Sequence, residues 1–283
     1  MLQKLALVLR MIKIEHSVFA LPFAIISALV AANGLPPGNT LFWIFVAMIS
    51  ARSCAMAFNR VVDSRFDALN PRTQKWALPA GLLTKQFVVL FILVSSAIFI
   101  YAAFQLNRLA FLLSPVALAI LFFYSLTKRF TPLSHWFIGL ALGIGPAGAW
   151  IAVRGSLEML PLWLGLAILF WTAGFDLIYS CQDAEFDRKQ KLHSIPSRFG
   201  ISSALSVSRI CHALALILLA VFGLKAGLGL WYFAGVFLVA ALLIYEHTLV
   251  APNDLSRVNE AFFTVNGLIS VLLLVFSSLD LYL

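Results

Sequence analysis

The chain has 283 residues, 62% of them hydrophobic and only 11% charged, with a formal net charge of +8. Soluble domains carry about 25% charged residues, so this composition excludes a soluble fold and points to lipid as the surrounding solvent. The basic balance does not call for nucleic acid, because positive charge on the cytoplasmic side of a membrane protein is what insertion favours.

Apolar stretches of about 17 to 25 residues recur with short polar breaks, the length that carries a helix across a hydrocarbon core about 30 Å thick. They predict nine membrane helices, near residues 17–33, 40–62, 86–104, 108–126, 134–153, 159–182, 205–223, 228–248 and 262–281. Continuous runs such as LVSSAIFIYAAF and ALALILLAVFGL do not alternate apolar with polar residues, which disfavours a β-barrel. The expected fold is all-α, a multi-pass bundle forming a single domain over residues 1–283. The first stretch follows Arg10 and Lys13 and lacks a small-residue cleavage site, so it reads as a retained helix. Cys54, Cys181 and Cys211 show no paired spacing and read as small core residues.

With the N-terminus inside, sixteen Lys and Arg residues fall on inner loops against three outside, Arg108, Arg154 and Lys225, with Arg52 inside a span. That asymmetry places the N-terminus in the cytoplasm. It also gives a basic face suited to anionic membrane lipid.

The second helix ends in Asn59, Asp63 and Asp67, three positions on one helix face at i, i+4 spacing. The sixth ends in Asp176, Tyr179, Asp183 and Asp187. Asp63 and Asp183 are 120 residues apart, as are Asp67 and Asp187, and four crossings separate the two helices. Both motifs therefore emerge on the cytoplasmic side, which suggests two four-helix halves of like orientation completed by a ninth helix. Like charges at i, i+4 repel and carboxylates near hydrocarbon are costly. Mg2+ answers both costs, since it binds through one or two carboxylates and fills its octahedron with water and phosphate oxygens. The competing reading makes the aspartates ordinary helix-end charges paired with Arg60, Arg65 and Arg188.

Arg72, Lys75, Lys128 and Arg129, with Arg188, Lys189, Lys191 and Arg198, follow the motifs closely enough to hold phosphate. Arg52 lies within a span on the face of Asn59 and needs a partner, for which Asp176 is the expected choice. His193 and Ser194 follow the second motif, and Glu15 and His16 precede the first helix; each could touch a polar substrate. A secondary transporter also carries repeats and charges within spans, but its charges belong at the midplane and not at one end.

The strings NRVVDSRFD, NPRTQKWALPAG, DLIYSCQDAEFD and LHSIPSRFG resemble the UbiA superfamily of intramembrane prenyltransferases, as do MIKIEHSVFALPFA and YSLTKRFTPLSHWFIGLALGIGPAGAWIAV. The resemblance spans nearly the whole chain and favours the bacterial quinone-pathway branch, hence the bacterial inner membrane. It implies a helical bundle with a central cavity, Mg2+, a polyprenyl diphosphate donor and a small aromatic acceptor. Asn59, Asp63 and Asp67 match the first metal motif, and Asp183 and Asp187 the second. Arg72, Lys128 and Arg129 fall at the family's diphosphate-binding positions, and Tyr179, a candidate substrate contact, where the second motif commonly has a Tyr. The acceptor implied is 4-hydroxybenzoate, for ubiquinone, or a dihydroxynaphthoate, for menaquinone by the futalosine route. Two positions depart from the pattern: Arg60 stands where many members have Asp, and Trp76 where an Arg often precedes the Leu-Pro turn.

Overall fold

The computed structural model describes residues 7–8, 11–12 and 19–283. Lys4, Arg10, Lys13, Glu15 and His16 lie outside the described residues. The helices are α1 (Leu21–Ala32), α2 (Gly38–Leu69), α3 (Lys85–Leu106), α4 (Arg108–Thr127), α5 (Ser134–Arg154), α6 (Leu160–Ser180), α7 (Ala184–Lys189), α8 (Ile195–Phe199), α9 (Ile201–Ala226), α10 (Leu230–Thr248) and α11 (Asn266–Tyr282). Over the described residues, each expected apolar stretch is helical. Among the described residues eight helices are long and apolar enough to cross a membrane, and α1, at 12 residues, is shorter. Pro22 near its start lacks an N–H that the first turn would leave unpaired anyway, and Asn33 ends it in the left-handed region at φ 50°.

Burial is inverted relative to a soluble domain. Leu93, Phe104, Ile217, Phe237 and Ile244 are exposed, whereas Ser27, His135, Thr172, Glu246, Asn266 and Ser270 are fully buried. Polar groups kept from lipid must find partners inside the bundle: Ser27 donates to the Pro146 carbonyl at 2.7 Å and ties α1 to α5. The chain is an integral membrane protein.

Around the bundle α2 packs on α3, α5 on α6, α6 on α9, and α1 closes the ring between α5 and α11. The α5–α6 crossing is close enough to demand glycine. A Cβ on Gly143 would lie 2.6 Å from the Gly165 carbonyl oxygen, and one on Gly165 2.5 Å from that of Gly143. Gly139 and Gly143 form the small-xxx-small pattern that lets membrane helices meet backbone to backbone.

Two boundaries differ from expectation in ways that shape the site. Helix α2 runs on to Leu69, so all of the first acidic motif is helical. Helix α6 stops at Ser180, and a three-residue 3-10 turn, Cys181–Asp183, leads into α7. Asp183 and Asp187 therefore do not share one straight helix; Asp183 closes the tightened turn and Asp187 lies in α7.

Candidate active site

The ends of α2 and α6, the α4–α5 turn and residues 262–263 enclose a polar chamber of about 240 Å³. An apolar chamber of about 400 Å³ lies against it, lined by residues such as Ile44, Met48, Phe99, Leu121 and Ile151. Met56, Tyr124 and Ile138 line both, so they form the neck between the two.

Each of the four motif aspartates meets one cation. Asp63 accepts from Asn59 Nδ2 at 2.9 Å and from Arg129 Nη2 at 3.1 Å. Arg60 Nη1 lies 3.6 Å from Asp67 Oδ2. Asp183 is held in bidentate fashion by Arg72, Nε to Oδ1 at 3.1 Å and Nη2 to Oδ2 at 2.5 Å, and accepts from Asn70 Nδ2 at 3.0 Å. Asp187 accepts from Ser194 Oγ at 2.9 Å and faces Lys128 Nζ at 3.5 Å. Asn70 and Arg72 follow the first motif yet bind the second, so they bring the two motifs onto one chamber. Burial works against the charge on Arg72, but its contacts with Asp183 outweigh this and hold its pKa above the ordinary value. Lys128 is raised likewise: burial lowers it, and Asp187, Asp176, Asp183 and Asp63 more than compensate.

Asn59, Asp63, Asp67, Arg72, Lys128, Arg129, Asp176, Tyr179, Asp183 and Asp187 all line the polar chamber. Three expected residues do not. Arg52 lines the apolar chamber, and Asp176 bonds instead to His135 Nδ1, at 2.7 Å, because α5 sets that imidazole against α6. Lys75 is exposed on the loop after α2, outside the lining. His193 is outside it too and acts through its backbone, donating to the Lys128 carbonyl at 2.7 Å. Arg188 donates to the Ser197 carbonyl at 3.2 Å and Lys189 pairs with Glu185 at 2.7 Å, so α7 spends these cations on itself and its neighbour.

Sequence reasoning missed a strap built from three consecutive residues. His193 N–H bonds Lys128, Ser194 Oγ bonds Asp187, and Ile195 N–H donates to His135 Nε2 at 3.4 Å. Ser194 also caps α8 in a capping box with Ser197, which fixes the strap's direction. A π-helical turn, Glu260–Val265, was equally invisible. Asn266 Nδ2 binds the Ala261 carbonyl at 2.9 Å, the Phe262 carbonyl at 3.3 Å and Glu246 Oε1 at 3.0 Å, which satisfies the backbone groups the turn frees. The turn delivers Phe262 to the Tyr179 ring, 4.2 Å between centroids, and makes Phe262 and Phe263 a wall of the polar chamber.

The profile of the UbiA prenyltransferase family matches residues 20–268. The chain belongs to this family. A 4-hydroxybenzoate octaprenyltransferase from Aromatoleum aromaticum is 30% identical over 86% of this chain and 82% of its own length. Among solved structures, a UbiA homolog from Aeropyrum pernix K1 superposes with a TM-score of 0.86 at 33% identity, covering 94% of this chain and 98% of that one. A UbiA homolog from Archaeoglobus fulgidus bound to GPP and Mg2+ has a TM-score of 0.78 at 21% identity over 98% of this chain and 100% of that chain, a likeness of fold.

The two departures from the UbiA pattern meet in space. The Arg60 guanidinium lies 4.0 Å from the Trp76 ring centre, and Arg72 approaches the same indole at 5.8 Å. Arg60 is thus held over an aromatic face while it reaches Asp67, and the cation missing at position 76 is returned from position 60. Trp76→Ala removes a cation–π contact worth about 0.5–1 kcal/mol. It is expected to raise the KM for prenyl diphosphate by about 2- to 5-fold, with Trp76→Phe intermediate; steady-state kinetics against donor concentration checks this.

The donor set fits a hard divalent ion shared with phosphate. It is all oxygen, and Asp67 Oδ2 is buried without a hydrogen-bond partner. Among the described residues no three His, Cys, Asp or Glu side chains form a closed metal cage. Mg2+ takes one or two carboxylates and completes its shell with water and substrate. Asp63, Asp67, Asp183 and Asp187, with Asn59, are the residues that would hold it.

Proposed function

We propose that the protein transfers a polyprenyl group from a polyprenyl diphosphate to a small aromatic quinone precursor, with 4-hydroxybenzoate as acceptor and Mg2+ as the metal. The observation that carries this reading is the adjacency of the two chambers. A compact pocket of aspartates and cations shares Met56, Tyr124 and Ile138 with a larger apolar one beside it, matching a donor with one highly charged head and one long apolar tail. The name of the Aromatoleum relative supports the acceptor, and the Mg2+ in the Archaeoglobus homolog supports the metal.

When bound, Mg2+ would neutralise charge growing on the leaving diphosphate as the allylic C–O bond breaks. The protein's part is to exchange ion pairs. Arg72, Lys128 and Arg129 turn from Asp183, Asp187 and Asp63 toward phosphate oxygens, the arginines as forks and the lysine as a point charge. Asn59 orients Asp63, and Tyr179 Oη accepts from Arg72 Nη1 at 3.0 Å, which keeps the guanidinium beside the chamber as it turns. The apolar walls beyond the neck keep water from the allylic carbon. We place this face in the cytoplasm of a bacterial inner membrane, on the strength of the inward Lys and Arg excess. We also read the chain as one domain of two four-helix halves, each offering one acidic motif.

Membranes carrying the protein, given Mg2+, a labelled polyprenyl diphosphate and either 4-hydroxybenzoate or a dihydroxynaphthoate, test the reading. Prenylated 4-hydroxybenzoate, identified by mass, is expected. A product from the naphthoate alone would reassign the acceptor, and substrate flux with no covalent product would favour a transporter.

A further inference from the structure

Building on the prenyl-transfer reading, we infer that Asp176 is the hydrogen-bond acceptor for the ring hydroxyl of the aromatic acceptor, and that buried His135 is the positioning residue that aims it. Asp176 lines the polar chamber but differs from the four motif aspartates. Among the described residues its ion-pair partner is His135, whereas each motif aspartate pairs with a Lys or Arg.

The tautomer follows from the neighbours. Ile195 N–H is a donor, so His135 Nε2 must accept, which leaves the proton on Nδ1 to bond Asp176 Oδ2 at 2.7 Å. His135 is 0% exposed and cannot swing away. One carboxylate oxygen is thereby fixed, and Oδ1 carries no hydrogen bond among the described residues while its residue faces the chamber.

The position suits a ring. Asp176 lies four residues, about 6 Å, before the end of α6, on the hydrocarbon side of the turn that carries Asp183. Ile138 of the neck lies one turn from His135 on α5. A donor with its head at the motif aspartates and its tail beyond the neck has its reacting carbon between them, so the acceptor ring must lie there too. Phe262 and Tyr179 supply aromatic faces at that level. Alkylation beside a ring hydroxyl spreads positive charge onto the hydroxyl oxygen, and a carboxylate already bonded to that O–H stabilises this charge as it develops. The contact itself makes and breaks no covalent bond.

The test compares Asp176→Asn, His135→Leu and His135→Asn with the unaltered enzyme in membranes. It reads kcat/KM for 4-hydroxybenzoate and for 4-methoxybenzoate, and separately the binding of inorganic pyrophosphate with Mg2+. Asp176→Asn is expected to lower kcat/KM for the hydroxy acceptor about 10²- to 10³-fold and to shrink the preference over the methoxy analogue. His135→Leu should act in the same direction. His135→Asn, which keeps a donor near the Nδ1 position, should recover most of the loss. Pyrophosphate affinity should stay within about twofold, because the contact is to the ring and not the diphosphate. Unchanged acceptor kinetics in Asp176→Asn, an undiminished hydroxy preference, or a parallel loss of pyrophosphate binding would overturn the inference while transfer by the unaltered enzyme upheld the broader reading. Failure of the unaltered enzyme to prenylate either acceptor would remove both.

Discussion

Asp183→Asn is expected to cut Mg2+-dependent prenyl transfer by about 10²- to 10³-fold, the scale of removing one preorganised electrostatic contact from a transition state. Two losses combine at this residue. A donor oxygen for the metal becomes an amide, and Arg72 loses the bidentate partner that brings the loop after α2 across to the second motif. Asp63→Asn should match it, since Asp63 holds Arg129 and is oriented by Asn59. Rates measured across a Mg2+ series check both variants: a higher metal requirement and a lower maximum are expected. Retained Mg2+-dependent transfer in both would remove the aspartates from the chemistry.

Gly143→Ala and Gly165→Ala are expected to destabilise the bundle more than any other single methyl addition at a glycine facing backbone in α5 or α6, apart from the tighter Gly139. At each, the new Cβ meets a carbonyl oxygen of the opposite helix, a rigid neighbour that cannot step aside. Overpacking of this kind costs about 1–3 kcal/mol or more, and α5 and α6 must part to relieve it. Those helices carry His135 and Asp176, so activity should fall with stability. Gly148→Ala is the control, because a Cβ there meets nothing within 4 Å. Thermal inactivation in detergent checks the set: midpoints several degrees lower for the two crossing variants and unchanged for Gly148→Ala.

The order of the helices, and eight of the nine expected crossings among the described residues, were legible because lipid imposes length and hydrophobicity on each crossing. The motif aspartates were legible for the complementary reason, that carboxylates in an apolar chain must have partners. What escaped was the identity of those partners. Arg72 was read as a phosphate ligand, and it is that region's link to Asp183, 111 residues away. His135 carries no signal in the sequence, and its bond to Asp176 depends on the α5–α6 crossing. Asp176, the partner expected for Arg52, meets His135 instead, since shared depth in the membrane does not specify which helix faces meet. Trp76 read as a missing cation, whereas the indole supports one contributed by Arg60. The π turn has no local signature at all; its stabilising group, Asn266, bonds carbonyls that any ordinary helix would hide.

The strap at residues 193–195 couples the two ends of the site. Its bonds to Lys128, to Asp187 and to His135 leave from adjacent residues, so a displacement of one is felt by the others. On the proposed reading, Lys128, held here through its carbonyl, and Asp187 serve the diphosphate end and His135 the ring end. Whatever factor donor binding imposes on acceptor affinity through this segment, the acceptor must return to the donor, because linkage between binding equilibria is reciprocal. A short piece of backbone, itself outside the chemistry, would thus let the occupancy of each half of the chamber report on the other.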